Sequence, residues 1–256
     1  MKATNRILIV VTNDDEFQKV GIRTGLWLGE LIHFWEVAEE AGYQMDIASP
    51  SGGKVPIDPE SVILPKVGDV AGLKGEVFKR YENRAFMNLL DNTLKVSDVD
   101  PAAYDAVYMA GGHGVMFDFP NSESLAALTA RFYESNKVIS AVCHGPCGLL
   151  EAKLSNGEYL IKGKNVTGFS WNEELLAKRD HAVPFNLEEE LQRRDANYSK
   201  ALVPFTTHVV EDGLLITGQN PGSAHAVGKA VVKKLQELTR EAPTPQSPEK
   251  TPGEVA

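Results

Sequence analysis

Hydrophobic residues follow two patterns that alternate along the first part of the chain. A continuous run rich in β-branched residues, typical of a strand buried on both faces, lies at 6–12, and the segments 44–49, 104–110 and 137–142 also have the character of strands. Helical spacing appears between them, at 24–41, 83–92 and 122–136, and the first of these repeats ends at Gly42. Strands separated by helices form a parallel sheet with helices on both faces, so the pattern predicts an α/β fold in three layers.

The second part of the chain continues this pattern with interruptions. It predicts strand pieces within 159–168, short helices at 171–178 and 187–193, a hairpin at 208–218 that turns at Asp212-Gly213, and a last helix at 224–238. Residues 1–240 are therefore expected to form one domain. Residues 241–256 carry four prolines and few large apolar residues, which predicts a disordered tail.

Composition and charge exclude several classes of protein. The 26 basic and 35 acidic residues give a net charge of −9, which argues against a nucleic-acid partner because such proteins need a basic surface. The chain has no apolar run of the length that a membrane span needs, and the run at 6–12 is interpreted as a first strand and not as a signal peptide. Two cysteines make no disulfide scaffold, so we expect a reducing, cytoplasmic setting.

Common cofactor and metal motifs are not matched. The turn Gly112-His113-Gly114 lacks the third glycine of a dinucleotide fingerprint, because residue 117 is Phe. The sequence has no phosphate-binding loop, no G-x-S-x-G and no H-E-x-x-H. We therefore expect neither cofactor nor metal; a metal site would need ligands brought together from distant parts of the chain.

The strongest chemical signal is the segment Ser140-Ala141-Val142-Cys143-His144-Gly145-Pro146. A buried strand ends at Cys143, and Pro146 stands in the first turn of the next predicted helix, as in a nucleophile elbow with Cys in place of Ser. The positive helix end is expected to lower the pKa of the thiol, His144 to exchange a proton with it, and free backbone N–H groups to hold an oxyanion. The alternative is a packed, inert cysteine, which is the interpretation we give to Cys147.

A second candidate is Glu30 in the first predicted helix. It shares a helix face with Trp27 and Phe34, so a core-facing carboxyl at this position needs a partner. A protonated Glu30 that donates to the thiol, with its pKa raised by burial, would satisfy both groups. A solvated carboxylate at the helix edge is the alternative.

The combination of motifs resembles the ThiJ/PfpI superfamily, and within it the heat-shock-induced glyoxalase III, chaperone and protein deglycase branch. The resemblance covers residues 5 to about 238 and is carried by Thr24-Gly25-x4-Glu30 with His33, Ala110-Gly111-Gly112-His113-Gly114-x2-Phe117-Asp118-x-Pro120, Ala141-Val142-Cys143-His144-Gly145-Pro146, Val166-Thr167-Gly168-Phe169 with Glu174, and Thr217-Gly218-x-Asn220-Pro221-x-Ser223-Ala224-His225. It implies a flavodoxin-like sandwich related to class I glutamine amidotransferases.

The resemblance also implies roles for single residues. Cys143 is the implied nucleophile, His144 its base, and Glu174 the acid that orients the histidine, with Glu173 as the alternative. Glu30 is the implied second carboxyl beside the thiol.

Other roles are implied less directly. Gly112 would supply an oxyanion N–H, while His113 either lines the pocket mouth or is simply solvated. His225 is a weaker pocket candidate. The insertions at 52–75 and 178–200 are expected to cap the pocket.

The implied activity is that of a glutathione-independent glyoxalase, which converts methylglyoxal to lactate through a cysteine hemithioacetal. The implied partners are a small dicarbonyl substrate, a second copy of the chain in a homodimer, and unfolded proteins. The sequence leaves open a small-amide or peptide hydrolase with a Cys-His-Glu triad, a holdase chaperone without physiological catalysis, and a redox sensor. A glutamine amidotransferase is disfavoured, because His208 and Glu211 have the wrong spacing for its histidine–glutamate pair.

Overall fold

The first strand, β1 (Arg6–Val10), lies in the interior of the main sheet and alternates its side chains between the two faces. A computed structural model describes residues 4–63 and 74–241. In these residues the strands are β1 Arg6–Val10, β2 Glu16–Phe17, β3 Ile22–Arg23, β4 Gln44–Ser49, β5 Leu94–Lys95, β6 Ala106–Met109, β7 Val138–Val142, β8 Asn165–Val166, β9 Asn197–Tyr198, β10 Val209–Asp212 and β11 Leu215–Gly218. Seven of them form one sheet in the order β10-β11-β7-β6-β1-β4-β5. All neighbouring pairs in this sheet are parallel except β10 and β11.

Helices cover both faces of the sheet. The α-helices are α1 Leu28–Glu40, α2 Pro59–Ile63, α3 Lys74–Glu82, α4 Arg84–Met87, α5 Val115–Asp118, α6 Glu123–Glu134, α7 Trp171–Ala177, α8 Leu187–Arg193 and α9 Ala224–Glu241, and 3₁₀ helices lie at Asn88–Leu90, Val96–Asp98, Pro101–Ala103, Gly145–Leu149 and Pro221–Ser223. Ile7 and Ile9 of β1 pack with residues of α1 and α9 on one face, whereas Leu8 and Val10 pack with residues of α5, α6 and α8 on the other. The predicted three-layer α/β fold is confirmed.

The first helix begins later than the pattern predicts. The apolar spacing predicts a helix from residue 24, but α1 begins at Leu28 because the preceding residues are extended. Gly25 has φ +148, and Leu26 forms a parallel β-bridge with Ile57. The C-terminal prediction is correct, since Gly42 directly follows the C-cap residue with φ +83.

Two turns differ from their predictions. The hairpin turns at Gly213-Leu214 and not at Asp212-Gly213, because Asp212 still pairs with Leu215 in the ladder. The helix after Cys143 is a five-residue 3₁₀ helix, Gly145–Leu149, with Pro146 in its first turn as predicted. The last helix, α9, runs three residues beyond its predicted end at 238.

Some predicted segments are described only in part. Residues 64–73 of the predicted insertion at 52–75 and residues 242–256 of the predicted tail lie outside the described residues. The insertion at 178–200 contains α8 and β9, and β9 pairs in parallel with β8. Within the described residues, no helix combines the length and the hydrophobicity that crossing a bilayer requires.

Candidate active site

The candidate site lies at the carboxyl ends of the central strands. Strand β7 leads directly into Cys143, and β6 leads into the loop that contains Gly112 and His113. Glu30 is in the first turn of α1, and Glu174 is in the first turn of α7. The structure therefore brings together side chains from four separate segments, at the sheet edge where open α/β folds bind ligands.

Cys143 has a left-handed backbone conformation, with φ +59. A residue with a Cβ adopts this conformation at a cost, so the surrounding structure must hold it in place. Its N–H donates to the Gly218 carbonyl of β11 (2.9 Å), and its carbonyl accepts from the Phe169 N–H (2.8 Å). These two bonds fix the sharp turn that a nucleophile elbow requires.

Cys143, His144 and Glu174 form a hydrogen-bonded chain. The thiol Sγ is 3.3 Å from Nδ1 of His144, and Nε2 of the same ring is 2.8 Å from Oε2 of Glu174. All three side chains are buried. Although burial raises the pKa of Glu174, the neighbouring His113 and His144 lower it below its ordinary value, so this carboxylate stays ionised and accepts from His144.

Glu173, the alternative third member, has a different place. Its side chain closes a capping box with Ser170 at the start of α7. It also accepts from the Phe205 N–H (2.7 Å) and from Nδ2 of Asn220 (2.9 Å). Because these contacts occupy Glu173, Glu174 is the acid that contacts the histidine.

Glu30 is fully buried beside the Cys143 thiol. Its Oε2 accepts from the Gly111 N–H at 2.7 Å, and its Oε1 has no hydrogen-bond partner among the described residues. Burial raises the pKa of Glu30 to about 8. Glu30 is therefore a carboxylic acid near pH 7, and it is not the solvated carboxylate that the sequence left as an alternative.

The prediction that the thiol is ionised is wrong. Burial, followed by the adjacent Glu30 carboxyl, raises the pKa of Cys143 well above its ordinary value. The helix argument fails for two reasons: the side chain is only 3% exposed, and the helix that follows has five residues in a 3₁₀ conformation. These surroundings therefore favour the neutral thiol at Cys143.

Two loops approach each other here, one with Gly111 and Gly112 and the other with His144. Gly112 has φ +102, and an added Cβ would lie 2.2 Å from the Gly25 carbonyl oxygen, so only glycine fits there. Within the described residues, neither the Gly112 N–H nor the His144 N–H donates to a protein acceptor. A Cβ added to Gly111, the residue before Gly112, would lie 2.8 Å from the backbone nitrogen of His144, which shows how closely the two loops approach.

His113 is not a solvated loop residue. It is 7% exposed, and its Nε2 is 2.7 Å from Oε1 of Glu174. The ring also packs against Phe17 and His144, with centroid distances of 5.0 and 4.3 Å. Sequence reasoning identified the residue but missed its partner, because no spacing in the chain relates His113 to Glu174.

Comparisons with known proteins agree with this architecture. The sequence model of the DJ-1/PfpI family matches residues 22–234 of this chain. The chain belongs to the DJ-1/PfpI family. It is 33% identical to the probable glutathione-independent glyoxalase hsp3103 of Schizosaccharomyces pombe, over 92% of this chain and 100% of that protein.

Two crystal structures resemble this DJ-1/PfpI protein closely. The structure of glyoxalase III from Candida albicans has a TM-score of 0.77 at 30% identity, and the alignment covers 90% of this chain and 97% of that one. The structure of Rapid Encystment Protein 24 KDa from Francisella tularensis has a TM-score of 0.83 at 37% identity, covering 90% and 98% of the two chains.

Segments from both predicted insertions meet beside the site of this DJ-1/PfpI protein. Arg179, which follows α7, forms an ion pair with Glu60 of α2. The Arg179 guanidinium also lies over the Phe17 ring, 5.9 Å from its centroid, and Phe17 packs on His113. His225 is elsewhere: it opens α9 and has Lys229 and Glu40 as its charged neighbours.

One group of side chains could also bind a metal ion. The nearest ligand atoms of His113, His144 and Glu174 all lie within 4.8 Å of one another. This is an assembly from distant parts of the chain, which the sequence alone could not predict. The same histidine nitrogens donate to Glu174, so a metal would displace the hydrogen bonds that orient His144.

Proposed function

We propose that this protein is a glutathione-independent glyoxalase that converts methylglyoxal to lactate, with Cys143 as its nucleophile. The proposal depends on one observation: the thiol lies between a base, Nδ1 of His144, and an acid, the buried Glu30 carboxyl. The relatives named as glyoxalases support the same substrate class, a small dicarbonyl compound.

The resting protonation states define the direction of proton transfer. Nε2 of His144 donates to the ionised Glu174, so Nδ1 of the neutral ring is an acceptor that faces the thiol. Burial lowers the pKa of His144, which keeps the ring neutral near pH 7. The thiol proton therefore passes to Nδ1 as the sulfur attacks, and no standing thiolate is needed.

Addition gives a hemithioacetal. The Cys143 sulfur forms a bond to the aldehyde carbon of methylglyoxal, and the carbonyl oxygen gains negative charge. The unpaired N–H groups of Gly112 and His144 stabilise that charge. Glu30, whose Oε1 has no hydrogen-bond partner among residues 4–63 and 74–241, donates a proton to the same oxygen.

Isomerisation then moves a proton between adjacent carbons. Glu30, which is a carboxylate after this donation, removes the proton from the carbon that bears sulfur, which produces an enediol, and a proton returns to the neighbouring carbon. The product is a lactoyl thioester of Cys143, which water hydrolyses to lactate and the free thiol. Methylglyoxal and water together account for every atom of lactate, and glutathione is unnecessary because the protein supplies the thiol.

Lactate formation without glutathione tests the proposal. Purified wild-type protein is expected to produce lactate from methylglyoxal and glycolate from glyoxal, and in heavy water the lactate should carry solvent deuterium at C2. Cys143→Ala should form neither product, while Cys147→Ala serves as the matched control with one thiol fewer. Turnover by Cys143→Ala at the wild-type rate would end the proposal.

A small-amide or peptide hydrolase is the second candidate, because the chain from Cys143 through His144 to Glu174 is also a cysteine hydrolase triad. The buried acid Glu30 favours the glyoxalase, since acyl transfer to water needs no second carboxyl at the thiol. Release of amine from simple amides, together with no lactate from methylglyoxal, would favour the hydrolase.

Three further expectations remain predictions: a homodimer, the holding of unfolded proteins and a cytoplasmic location. Sedimentation of the purified protein tests the first. Suppression of aggregation by Cys143→Ala tests the second separately from catalysis. Fluorescence microscopy of the tagged protein in its host tests the third.

A further inference from the structure

We propose that His113 is a positioning residue that shares the Glu174 carboxylate with His144, fixes the tautomer of the catalytic base and weakens the hold of Glu174 on that base. This inference rests on the proposed function for its kinetic consequences, although its geometry does not. It assigns to His113 a role different from the place at the pocket mouth that the sequence suggested.

The first argument is the division of the carboxylate between two rings. Oε1 of Glu174 contacts Nε2 of His113 at 2.7 Å, and Oε2 contacts Nε2 of His144 at 2.8 Å. Because Glu174 is ionised, both nitrogens must carry a proton, and the neutral His144 ring then has a bare Nδ1. For His144 that bare nitrogen faces Cys143, which is the tautomer that the reaction needs.

The second argument is that His113 is held in this position by packing. Its ring lies between Phe17 and the ring of His144, and Phe169 contacts both histidine rings, with centroid distances of 6.2 and 4.5 Å. With 7% of its surface exposed, His113 makes no side-chain hydrogen bond in the described residues other than the one to Glu174. A buried polar ring with a single partner acts through that partner.

The third argument is electrostatic. The charged groups that act on the two rings are Glu174 from α7, Glu173 beside it, and Asp58 at the start of α2. Burial lowers the pKa of His144 most, and His113 lowers it further. A carboxylate that accepts from two donors stabilises an imidazolium at His144 less than one that accepts from His144 alone, so removal of His113 should make His144 more basic.

The test uses two substitutions that separate the hydrogen bond from the ring. His113→Leu removes both, whereas His113→Gln retains an N–H donor without a titratable ring. Phe17→Leu is the matched packing control, since it loosens the same stack and leaves both histidines in place. Circular dichroism of each variant establishes that it is folded.

The expected result is a change in kcat and in pH dependence. His113→Leu should lower kcat about ten- to a hundredfold, the range seen when a group that orients a catalytic ligand is lost, with KM nearly unchanged. The acidic limb of kcat/KM should move to higher pH. His113→Gln should retain most of the wild-type kcat. Phe17→Leu should not change the pH of the acidic limb of kcat/KM.

Three outcomes would overturn the proposal. A higher KM at unchanged kcat in His113→Leu would make the residue a substrate contact. An equal loss of kcat in His113→Gln and His113→Leu would show that the shared hydrogen bond has no effect. Inactivation of the wild type by a chelator, reversed by zinc, would make His113 a metal ligand.

Two measurements need no substrate and therefore distinguish this proposal from the proposed function. Side-chain nitrogen NMR of the wild type should show both His113 and His144 protonated at Nε2, and any other tautomer contradicts the proposal even if the variants do not fold. The pH at which the ultraviolet absorbance of the Cys143 thiolate appears should differ between His113→Leu and the wild type. If these results appear and methylglyoxal gives no lactate, only the proposed function fails.

Discussion

The surroundings of Cys143 and Cys147 differ sharply, although the two residues are one helical turn apart. Both thiols are buried, and burial raises the pKa of each well above its ordinary value. A buried carboxyl lies near each thiol, Glu30 at Cys143 and Asp118 at Cys147. Only Cys143 also contacts an imidazole, that of His144.

Cys147 is part of a hydrophobic cluster on one face of the sheet. Oδ2 of the neighbouring Asp118 accepts hydrogen bonds from the Thr12 hydroxyl (2.9 Å) and the Asn13 N–H (2.7 Å). This carboxyl therefore connects the loop after β1 to α5. If Cys143 is the nucleophile as proposed, burial and a nearby acid do not distinguish it from Cys147. The difference between the two cysteines is the base, and the following substitutions test that comparison.

Exchange of each sulfur for oxygen should have the largest effect. Cys143→Ser is expected to lower kcat/KM at least about a thousandfold, as for loss of a nucleophile elsewhere, because His144 cannot activate a hydroxyl as readily as a thiol. Cys147→Ser should retain activity but lose about 1–3 kcal/mol of unfolding free energy, since its hydroxyl is buried without a partner. Methylglyoxal kinetics and urea unfolding measure the two. Similar kinetics for both variants would contradict the comparison.

Exchange of each acid for its amide comes next. Glu30→Gln should lower kcat about a hundred- to ten-thousandfold, the usual contribution of a general acid or base. Asp118→Asn should retain activity to within about threefold, because the hydrogen bonds of Asp118 join α5 to the loop after β1 and not to Cys143. If the two amide variants lose activity equally, the loop geometry and not the acid beside the thiol limits the rate.

The titration of Glu30 should reduce stability as pH rises. Its folded pKa of about 8 lies above the ordinary value of 4.5. The unfolded chain therefore loses this proton first, and the contribution of Glu30 to stability, complete below pH 4.5, is lost by about pH 8. The free energy of unfolding relative to Glu30→Gln should fall by up to about 1.4 kcal/mol per pH unit within that window. Urea unfolding of both proteins at several pH values measures it, and parallel profiles would mean that Glu30 titrates normally.

Thiol alkylation should show the smallest effect. Above the titration of Glu30, its carboxylate opposes ionisation of Cys143, so Glu30→Gln should speed alkylation of Cys143 several-fold, about the effect of one nearby charge. The rate at Cys147 should not change. Mass spectrometry of the two peptides after iodoacetamide treatment gives both rates in one experiment, and acceleration at both sites would indicate general loosening of the fold.

Sequence patterns predicted the layers of the fold well, because burial on two faces leaves a continuous apolar run such as residues 7–10 of β1. The helix Leu187–Arg193 was predicted with its observed bounds. The start of α1 was not, since Gly25 and the bridge from Leu26 to Ile57 depend on residues distant in the chain. Local periodicity contains no information about such pairings.

In the candidate site too, features of a local motif could be predicted, whereas features that depend on distant residues could not. Cys143 stands in a local motif, so its place at the end of a strand could be predicted. The ionisation of its thiol could not, because that depends on how deeply the fold buries it and on Glu30 from another element. The choice between Glu173 and Glu174, and the pairing of Glu174 with His113, likewise depend on three-dimensional contacts.

The left-handed backbone at Cys143 has a consequence for how this protein can change. The left-handed conformation costs a residue with a Cβ about 1–2 kcal/mol, a cost that glycine avoids. The free energy of folding therefore favours glycine at position 143, although glycine would abolish the proposed chemistry. Fold stability and reactivity are thus opposed at a single position. Variants selected only for heat resistance should tend to lose the sulfur.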